Sequence, residues 1–215
     1  MVNTLIFDVW GTIIEHGVDR SPSKFVKKKL GIKLNFQEFI TTFQTSLFTE
    51  EYETLREGFE NVASDFNKDV EDETYEDLIG LWNKRAMMSH MYQEVEEALG
   101  HLKGDYEIVL LANMDNISYN NLEQKYGLED LFDEVYTSFD VGYVKGNPKF
   151  YKYILDAHDI HSDEALMVGD SIKSDMESAE KAGIDGVLMD RRDSREYEPK
   201  VIDVDELKLF LDTQF

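Results

Sequence analysis

The sequence predicts an α/β fold in which a doubly wound parallel sheet carries a small, all-helical second domain. Two observations predict this class. Short apolar segments rich in strand-forming residues alternate with segments of helical periodicity, and such alternation is typical of parallel sheets. The alternation stops only between about residues 20 and 88, where the apolar pattern is helical throughout. A chain of 215 residues, 42% of them hydrophobic, is large enough for one core and a smaller attached module.

The first predicted strand lies in NTLIFDV, residues 3–9, and the helical block follows it. In NFQEFITTFQTSL the apolar residues recur at helical spacing, and Asn35 precedes Glu38 by three positions, which is the pattern of a capping box. Two further helices are predicted around residues 51–64 and 74–87. Because strands return after this block, it interrupts the sheet as an insertion.

The elements after the block alternate and end at residues that stop helices. Gly127 ends one helix. Asn147 caps another, and Pro148 then occupies the first helical position, where proline is tolerated. The predicted elements are, in order, a helix near 92–103, a strand at 106–113, a helix from 116, a strand at 132–138, a helix from 148, a strand at 164–170, a helix ending at Gly183, a strand at 185–190 and a helix near 203–213. One face of the helix before Gly183 carries three apolar residues: Ile172, Met176 and Ala179.

This alternation divides the chain into two predicted domains. Residues 17–88 are predicted to form a helical cap domain. Residues 1–16 and 89–215 are predicted to form the α/β core that holds the parallel sheet. There are no internal repeats or low-complexity linkers between the two.

Composition excludes two classes of partner. The formal net charge is −23, whereas binding to nucleic acid or to an anionic membrane surface requires a basic footprint. We therefore predict neither as a partner and interpret the charge as a highly solvated surface. One run, RSPSKFVKKKLGIK at residues 20–33, is basic, and it would attract a small anionic substrate if it lay over an active site.

The chain contains no cysteine, which excludes disulfides and thiolate metal sites. The N-terminus lacks the basic-then-apolar pattern of a signal peptide, and no apolar run approaches the ~20 residues that a membrane span needs. From these features we expect a soluble, cytoplasmic protein.

Charged and polar residues stand at the carboxyl ends of the predicted strands. One strand ends at Asp8, the next at Asn113 and another at Asp170, and Lys145 lies just before a helix. In a doubly wound sheet these positions meet beside the switch point. Carboxylates are ligands for a hard divalent cation such as Mg²⁺. A carboxylate that attacks phosphorus needs such a cation and a lysine to offset the charge repulsion.

Four segments in the right order resemble the four motifs of the haloacid dehalogenase-like (HAD) hydrolase superfamily. DVWGT resembles the nucleophile motif, usually D-x-D-G-T, and LLANMD resembles the second motif, a strand ending in Ser or Thr. GYVKGNP resembles the third motif, and VGDSIKSDMESAEKAG resembles the fourth, G-D-S-x-x-x-D. The resemblance covers essentially the whole chain. It implies a Rossmann-like core in which the helical block is the family's first type of cap.

The resemblance also implies a role for each charged residue. Asp8 would be the nucleophile that forms an aspartyl intermediate, and Lys145 would balance the charge on Asp8 and on the transferred phosphoryl group. Mg²⁺ would be held by the Asp8 carboxylate, the main-chain carbonyl of Trp10 and the Asp170 side chain. Asp175 would support this metal site from behind.

Three residues are predicted to serve the substrate: Thr12 by bracing the loop, Asn113 through its N–H, and Trp10 through its ring. Two positions depart from the family pattern. In the family's phosphatases an acid two residues after the nucleophile protonates the leaving group and activates water, a contribution of ~10²–10⁴-fold, and here that residue is Trp10. At the end of the second motif, where the family has a hydroxyl residue that binds the phosphoryl group, this chain has Ala112.

Three functions follow as alternatives. A Mg²⁺-dependent phosphatase-type hydrolase acting on a small phosphorylated metabolite is favoured by the retained metal-site pattern. A 2-haloacid dehalogenase-type hydrolase is favoured by the aromatic residue, since halide leaves without an acid, but those enzymes dispense with the metal. A catalytically weak binding or regulatory protein on the same fold is suggested by the loss of both the acid and the hydroxyl.

Overall fold

A parallel sheet of six strands forms the centre of the protein, whose computed structural model describes residues 1–214. Within these residues the strands are β1 (Thr4–Asp8), β2 (Ile14–Glu15), β3 (His90–Met91), β4 (Glu107–Ala112), β5 (Glu134–Thr137), β6 (Ala165–Gly169), β7 (Asp185–Met189) and β8 (Lys200–Val201). The sheet has the order β5-β4-β1-β6-β7-β8 with every neighbouring pair parallel, and β2 pairs with β3 separately as an antiparallel ribbon. The predicted fold class is confirmed.

Helices flank this sheet and build the insertion. They are α1 (Pro22–Lys29), α2 (Phe36–Phe48), α3 (Leu55–Asp65), α4 (Asp72–Met88), α5 (Val95–Leu102), α6 (Asn116–Tyr126), α7 (Leu128–Leu131), α8 (Ser138–Val141), α9 (Pro148–His158), α10 (Glu177–Glu180) and α11 (Val204–Gln214). Within residues 1–214, no helix combines the length and the hydrophobicity that a membrane crossing requires.

The central strand β1 is buried along its whole length because helices cover both of its faces. Leu5 and Phe7 face the apolar cluster that includes α5 and α11, and Ile6 faces the cluster that includes α9. The strand order reverses beside β1, with β4 on one side and β6 on the other. The carboxyl ends of these three strands therefore form the switch point at which such sheets place their chemistry.

The insertion has an apolar core of its own. The aromatic rings at its centre belong to Phe39, Phe43, Phe59 and Trp82. Helix α2 begins at the predicted capping box, where Asn35 Oδ1 accepts the Glu38 N–H at 2.9 Å. The β2–β3 ribbon joins the chain segments that enter and leave the insertion. The boundaries of a cap domain at 17–88 and of a core at 1–16 and 89–215 stay a prediction, and Phe215 lies outside the described residues.

Predicted helix ends are confirmed where local chemistry fixes them. Gly127 takes the left-handed conformation, with φ 61°, directly after α6, and a side chain would be strained there. Asn147 caps α9 through Oδ1, which accepts the Lys149 N–H at 3.1 Å. The short strand β8 and the β2–β3 ribbon were not predicted, because two-residue strands carry no readable periodicity.

The helix after β6 differs from the predicted regular helix. Its first turn is a π-helix, Ile172–Met176, in which the Met176 N–H reaches back to the Ser171 carbonyl at 3.2 Å. Met176 and Ala179 are buried as predicted, but Ile172 is only half-buried. The wide turn leaves the Asp175 side chain fully buried on the site side, and π-turns of this kind are frequent at functional sites.

Candidate active site

The carboxylate of Asp8 ends β1 at the centre of the switch point and is 4% exposed. Thr12 Oγ1 donates a hydrogen bond to Asp8 Oδ2 at 3.1 Å, and Lys145 Nζ donates to Asp8 Oδ1. Gly11, between them in sequence, adopts a φ of +82°, which lets the loop turn back over the carboxylate. Asp8 is thus held by two donors and also lines a cavity, where a ligand can reach it.

Lys145 lies between two acids and is itself buried. Its Nζ lies 2.7 Å from Asp175 Oδ1 in addition to its contact with Asp8. Its backbone N–H donates to the side-chain Oδ1 of Asn113 at 3.2 Å, so the end of β4 holds this loop. Burial by itself lowers the pKa of Lys145, but the carboxylates of Asp175 and Asp8 outweigh burial and raise it above its ordinary value. The lysine is therefore a fixed positive charge.

Three carboxylates crowd around this lysine. Each of Asp8, Asp170 and Asp175 has a carboxylate oxygen within 4.8 Å of the other two. Burial, followed by the charges of Asp8 and Asp175, raises the pKa of Asp170 to about 7. Burial also raises the pKa of Asp175 to about 6, although Lys145 and the Ser171 N–H at 2.9 Å favour its charged form. The cluster thus carries more negative charge than its lysine neutralises.

The arrangement fits a hard divalent cation. The available ligand atoms are carboxylate oxygens, which Mg²⁺ prefers, and hydrogen bonds from neighbouring groups hold two of these three carboxylates in place. The backbone presses against them: a Cβ on Gly11 would lie 2.6 Å from Asp170 Oδ2, and one on Gly169 would lie 2.4 Å from Asp175 Oδ2. Arg195 donates to the Asp170 carbonyl and so fixes the loop that carries this carboxylate. Whether the Trp10 carbonyl completes the ligand set stays a prediction.

Removing one carboxylate is expected to stabilise the metal-free protein at alkaline pH. The folded-state pKa values of Asp170 and Asp175, about 7 and about 6, exceed the ordinary aspartate value, so the folded chain keeps protons that the unfolded chain releases. The free energy of unfolding therefore falls as the pH rises from about 4 to about 7, and the loss is complete above that range. Near pH ~8 without metal, we expect Asp170→Asn to unfold on the order of 5 °C higher than wild type in a thermal scan.

Added Mg²⁺ should reverse this order. Millimolar MgCl₂ is expected to raise the unfolding temperature of wild type by several degrees and to leave Asp170→Asn nearly unchanged, because only wild type keeps the full ligand set. Asp212→Asn, an exposed change on α11, is the matched control and should behave as wild type. An Asp170→Asn variant that is less stable than wild type near pH ~8 without metal contradicts the proposed repulsion.

Trp10 occupies the position at which the resemblance places an acid, and its ring is buried at 7% exposure. The ring stacks on His16, with centroids 5.6 Å apart and planes within 8°, and the Arg85 guanidinium carbon lies 3.7 Å from its centroid. Arg85 Nη2 contacts His16 Nδ1 at 3.2 Å. Desolvation and the neighbouring Arg85 lower the pKa of His16 to about 4, so this imidazole is neutral and accepts the hydrogen bond at neutral pH. At neutral pH neither the indole of Trp10 nor the neutral imidazole of His16 is an ordinary acid catalyst.

A cavity of about 890 Å³ opens over Asp8. Of the predicted site residues Asp8, Trp10, Asn113, Lys145 and Asp170 line it, while Asp175 and Thr12 lie behind the lining. The insertion contributes its other wall through Ile40, Phe43, Trp82 and Arg85. The structure thus brings all predicted site residues to one place, and their roles stay predictions.

The sequence interpretation missed the arginines of this cavity. The chain has six arginines, and five of them line it: Arg20, Arg85, Arg191, Arg192 and Arg195. Cationic side chains outnumber acidic ones in the lining, six to five, although the whole chain carries −23. A signal was available, since DRRDSR follows a predicted strand at its carboxyl end, where chemistry is expected.

The basic run at 20–33 contributes less to the cavity than its charge suggests. Arg20 reaches the cavity together with the adjoining residues to Ser23. Lysines 24, 27, 28 and 33 line a separate depression formed by α1 and the residues after it. The positive charge over the site therefore comes mainly from α4 and from the loop after β7.

Comparison with curated proteins gives partial matches to phosphatases. Phosphoglycolate phosphatase of Aliivibrio fischeri is 33% identical over 97 residues, which are 45% of this chain and 42% of that protein, so the chain spans less than half of that relative. D-ribitol-5-phosphate phosphatase of Bacteroides thetaiotaomicron is 26% identical over 180 residues, 79% of this chain and 84% of that protein.

Solved structures share the fold at low identity. A 2-haloacid dehalogenase from Pseudomonas syringae superposes with a TM-score of 0.66 at 15% identity, covering 100% of both chains. A HAD family enzyme from Bacteroides thetaiotaomicron, in complex with magnesium and inorganic phosphate, gives a TM-score of 0.60 at 18% identity, covering 92% of this chain and 98% of that one. A family model for haloacid dehalogenase-like hydrolase matches residues 2–183. Because this match spans most of the chain, the protein belongs to the haloacid dehalogenase-like hydrolases.

Proposed function

We propose that this hydrolase is a Mg²⁺-dependent phosphatase-type enzyme that acts on a small phosphorylated metabolite through an aspartyl phosphate on Asp8. The observation that carries the proposal is the cluster of Asp8, Asp170 and Asp175 around Lys145. Displacement of a halide by a carboxylate needs no divalent cation, whereas three clustered carboxylates are a ligand set for one. The phosphatase names among the curated relatives point in the same direction.

Asp8 supplies the new bond. One of its carboxylate oxygens attacks the phosphorus of a phosphate ester or acyl phosphate, the Asp8 O–P bond forms, and the bond from phosphorus to the leaving-group oxygen breaks. Lys145 lowers the repulsion between the carboxylate and the anionic phosphoryl group through its contact with Asp8. A water molecule then attacks the phosphorus, the bond to Asp8 breaks, and inorganic phosphate leaves.

Mg²⁺ at the acid cluster would offset the charge that builds on the phosphoryl oxygens. Asp8, Asp170 and the Trp10 carbonyl would hold it, and Asp175 would support them. The chain orients these groups by its own hydrogen bonds: Thr12 holds Asp8, and Lys145 together with the Ser171 N–H holds Asp175. Such supporting bonds commonly decide metal affinity by 10–100-fold.

The missing acid limits the choice of leaving group. An indole N–H such as that of Trp10 can serve only as a hydrogen-bond donor and does not transfer a proton near neutral pH. An alkoxide would therefore leave slowly, whereas the carboxylate that leaves an acyl phosphate needs no proton. We accordingly infer that the enzyme favours acyl phosphates and activated esters over simple alkyl esters.

The insertion would act as a cap over this site, because α2 and α4 supply the cavity wall opposite Asp8. Trp82 Nε1 donates to Asp115 Oδ2 at 2.7 Å and ties α4 to the end of the core sheet. The proposed partner is thus a small anionic substrate enclosed between the two parts. A cytoplasmic location remains a proposal.

Hydrolysis of acetyl phosphate and p-nitrophenyl phosphate, each with Mg²⁺ and with EDTA, tests the proposal. We expect phosphate release that requires the metal and is faster with acetyl phosphate. If neither substrate releases phosphate in a metal-dependent reaction, the proposal is contradicted.

A second candidate is a 2-haloacid dehalogenase-type hydrolase. The observation that favours it is the aromatic Trp10 beside the nucleophile, where halide displacement needs no acid. Chloride release from 2-chloropropionate in the presence of EDTA supports this reading over the phosphatase. Binding of phosphate esters without turnover of any substrate supports a binding or regulatory protein instead.

A further inference from the structure

Three buried side-chain nitrogen or oxygen atoms within residues 1–214 lack a hydrogen-bond partner, and all three belong to residues that line one cavity. They are Trp10 Nε1, Arg85 Nε and Arg191 Nε. Each is an N–H donor with no acceptor capacity. An unsatisfied buried donor costs roughly 1–3 kcal/mol, so native proteins rarely keep several in one place. The donors of this region are therefore not fully used within the protein, and the cavity beside them is lined by five arginines, which suits a ligand rich in anionic oxygen.

Of the two arginines with an unpartnered Nε, Arg191 has an acidic partner and Arg85 has none among residues 1–214. Arg191 is paired with Glu94 and donates to the Thr12 carbonyl, and Arg195 is held by Asp170 and Asp190. Within the described part of the chain, Arg85 forms no ion pair; its recorded polar partner is the neutral ring of His16. Burial lowers the pKa of Arg85 to about 10, which leaves it charged at neutral pH.

The ring of Trp10 fixes this unpaired charge in position. The Arg85 guanidinium lies over it at 3.7 Å, and a second indole, Trp82, lies 6.0 Å from the same group. Stacking on an aromatic face leaves the in-plane N–H groups of a guanidinium available for bidentate contact with a carboxylate or a phosphate. Both tryptophans of the chain therefore border the same cationic group.

We propose that the substrate carries a second anionic oxygen group, a carboxylate or a further phosphate, and that Arg85 binds it beside Trp10 while the phosphoryl group lies at Asp8. The inference rests on the proposed function for the position of the phosphoryl group. Arg20 and Arg192 line the same cavity without a carboxylate partner among residues 1–214, and they raise the local positive potential. Arg85 is thus a specificity residue, distinct from the groups that carry out phosphoryl transfer.

Three phosphate esters with one common backbone test this proposal: 2-phosphoglycolate with a carboxylate, ethylene glycol bisphosphate with a second phosphate, and 2-hydroxyethyl phosphate with a neutral end. Wild type should prefer one of the two anionic esters. Arg85→Gln should lower kcat/KM for that ester about 10–100-fold, mainly through KM, and change the neutral ester less than about threefold. Arg85→Lys should retain part of the preference, since a charge remains without the planar fork.

Arg56→Gln is the matched control, because Arg56 lies on α3 away from the cavity and pairs with Glu60 and Asp72. Equal loss for all three esters in Arg85→Gln overturns the inference in favour of a merely structural role. No preference in wild type, or no loss in the variant, overturns it as well. The identity of the preferred anionic ester separates a carboxylate from a second phosphate.

Ester binding measured in a variant without the nucleophile tests the inference independently of the proposed function. In Asp8→Asn, titration of the three esters followed by tryptophan fluorescence reports on Trp10 and Trp82 directly. Tighter binding of an anionic ester that disappears in Asp8→Asn/Arg85→Gln supports the inference even if wild type hydrolyses no ester, in which case only the proposed function fails. Equal binding of all three esters overturns the inference even if hydrolysis is fast.

Discussion

Asp8→Asn is expected to lower kcat for acetyl phosphate by at least about 10⁴-fold, the scale at which loss of a covalent nucleophile acts in other hydrolases. The amide has nearly the shape of the carboxylate but has no anionic oxygen with which to attack phosphorus. The new side chain also carries no charge to help hold a divalent cation. Both losses act on the same step, so the effect should be close to complete.

The fold should survive this change because each neighbour of Asp8 keeps a partner. Lys145 retains Asp175 at 2.7 Å, and Thr12 can donate to the amide oxygen of the new residue. Removing one of three crowded carboxylates also relieves repulsion within the cluster. A thermal scan should therefore show Asp8→Asn to be at least as stable as wild type without metal.

The controls decide what a loss of rate means. Asp212→Asn makes the same chemical change at an exposed position and should keep the wild-type rate. A folded Asp8→Asn protein that retains more than about a tenth of the wild-type kcat excludes Asp8 as the nucleophile. Loss of activity together with loss of the folded state would instead assign Asp8 a structural role, and circular dichroism distinguishes the two.

Much of this site could be predicted from sequence because its reactive side chains lie at the carboxyl ends of predicted strands. Asp8 ends β1 and Asp170 directly follows β6, and the parallel pairing of β4, β1 and β6 brings the carboxyl ends of these strands together. The caps at Asn35 and Asn147 could also be predicted, because each side chain bonds to a backbone N–H within three residues of it in the sequence. Where residues act through near neighbours in the chain, the pattern and the structure agree.

The contacts of Arg85 could not be predicted, because they join residues far apart in sequence. Arg85 is 75 positions from Trp10, and in a helical pattern it resembles any solvated residue near the end of α4. The π-turn at Ile172–Met176 was equally unreadable, since α- and π-turns share the same apolar spacing over five residues. Long-range pairing and local backbone geometry therefore account for what the sequence interpretation missed.

Trp10→Asp is expected to raise kcat for a simple alkyl ester, methyl phosphate, by about 10²-fold and at most about 10⁴-fold, the range of general acid–base catalysis. The new carboxyl group would stand two residues after Asp8, where it could protonate an alkoxide leaving group and later activate water. Acetyl phosphate should gain less, because its carboxylate leaves without a proton. The ratio of the two rates is therefore the informative measurement.

Arg85 is expected to limit the gain in kcat for methyl phosphate that Trp10→Asp produces. Its cation lies against the position of the Trp10 ring and would favour the ionised form of a new carboxyl group, which can activate water but cannot donate a proton. The double change Trp10→Asp/Arg85→Gln should consequently give the larger gain for methyl phosphate. The single change should act mainly on the hydrolysis of the aspartyl phosphate.

Trp10→Asn separates the chemistry from the packing. Replacing a buried tryptophan with a small residue costs about 3–5 kcal/mol whichever small residue is used, so the Asp and Asn variants should have similar unfolding temperatures. Only the Asp variant gains an acid. Equal methyl phosphate rates in the two folded variants would show that proton transfer is not what this site lacks, and Ala112, where the family carries a hydroxyl, would then be the stronger limit on turnover.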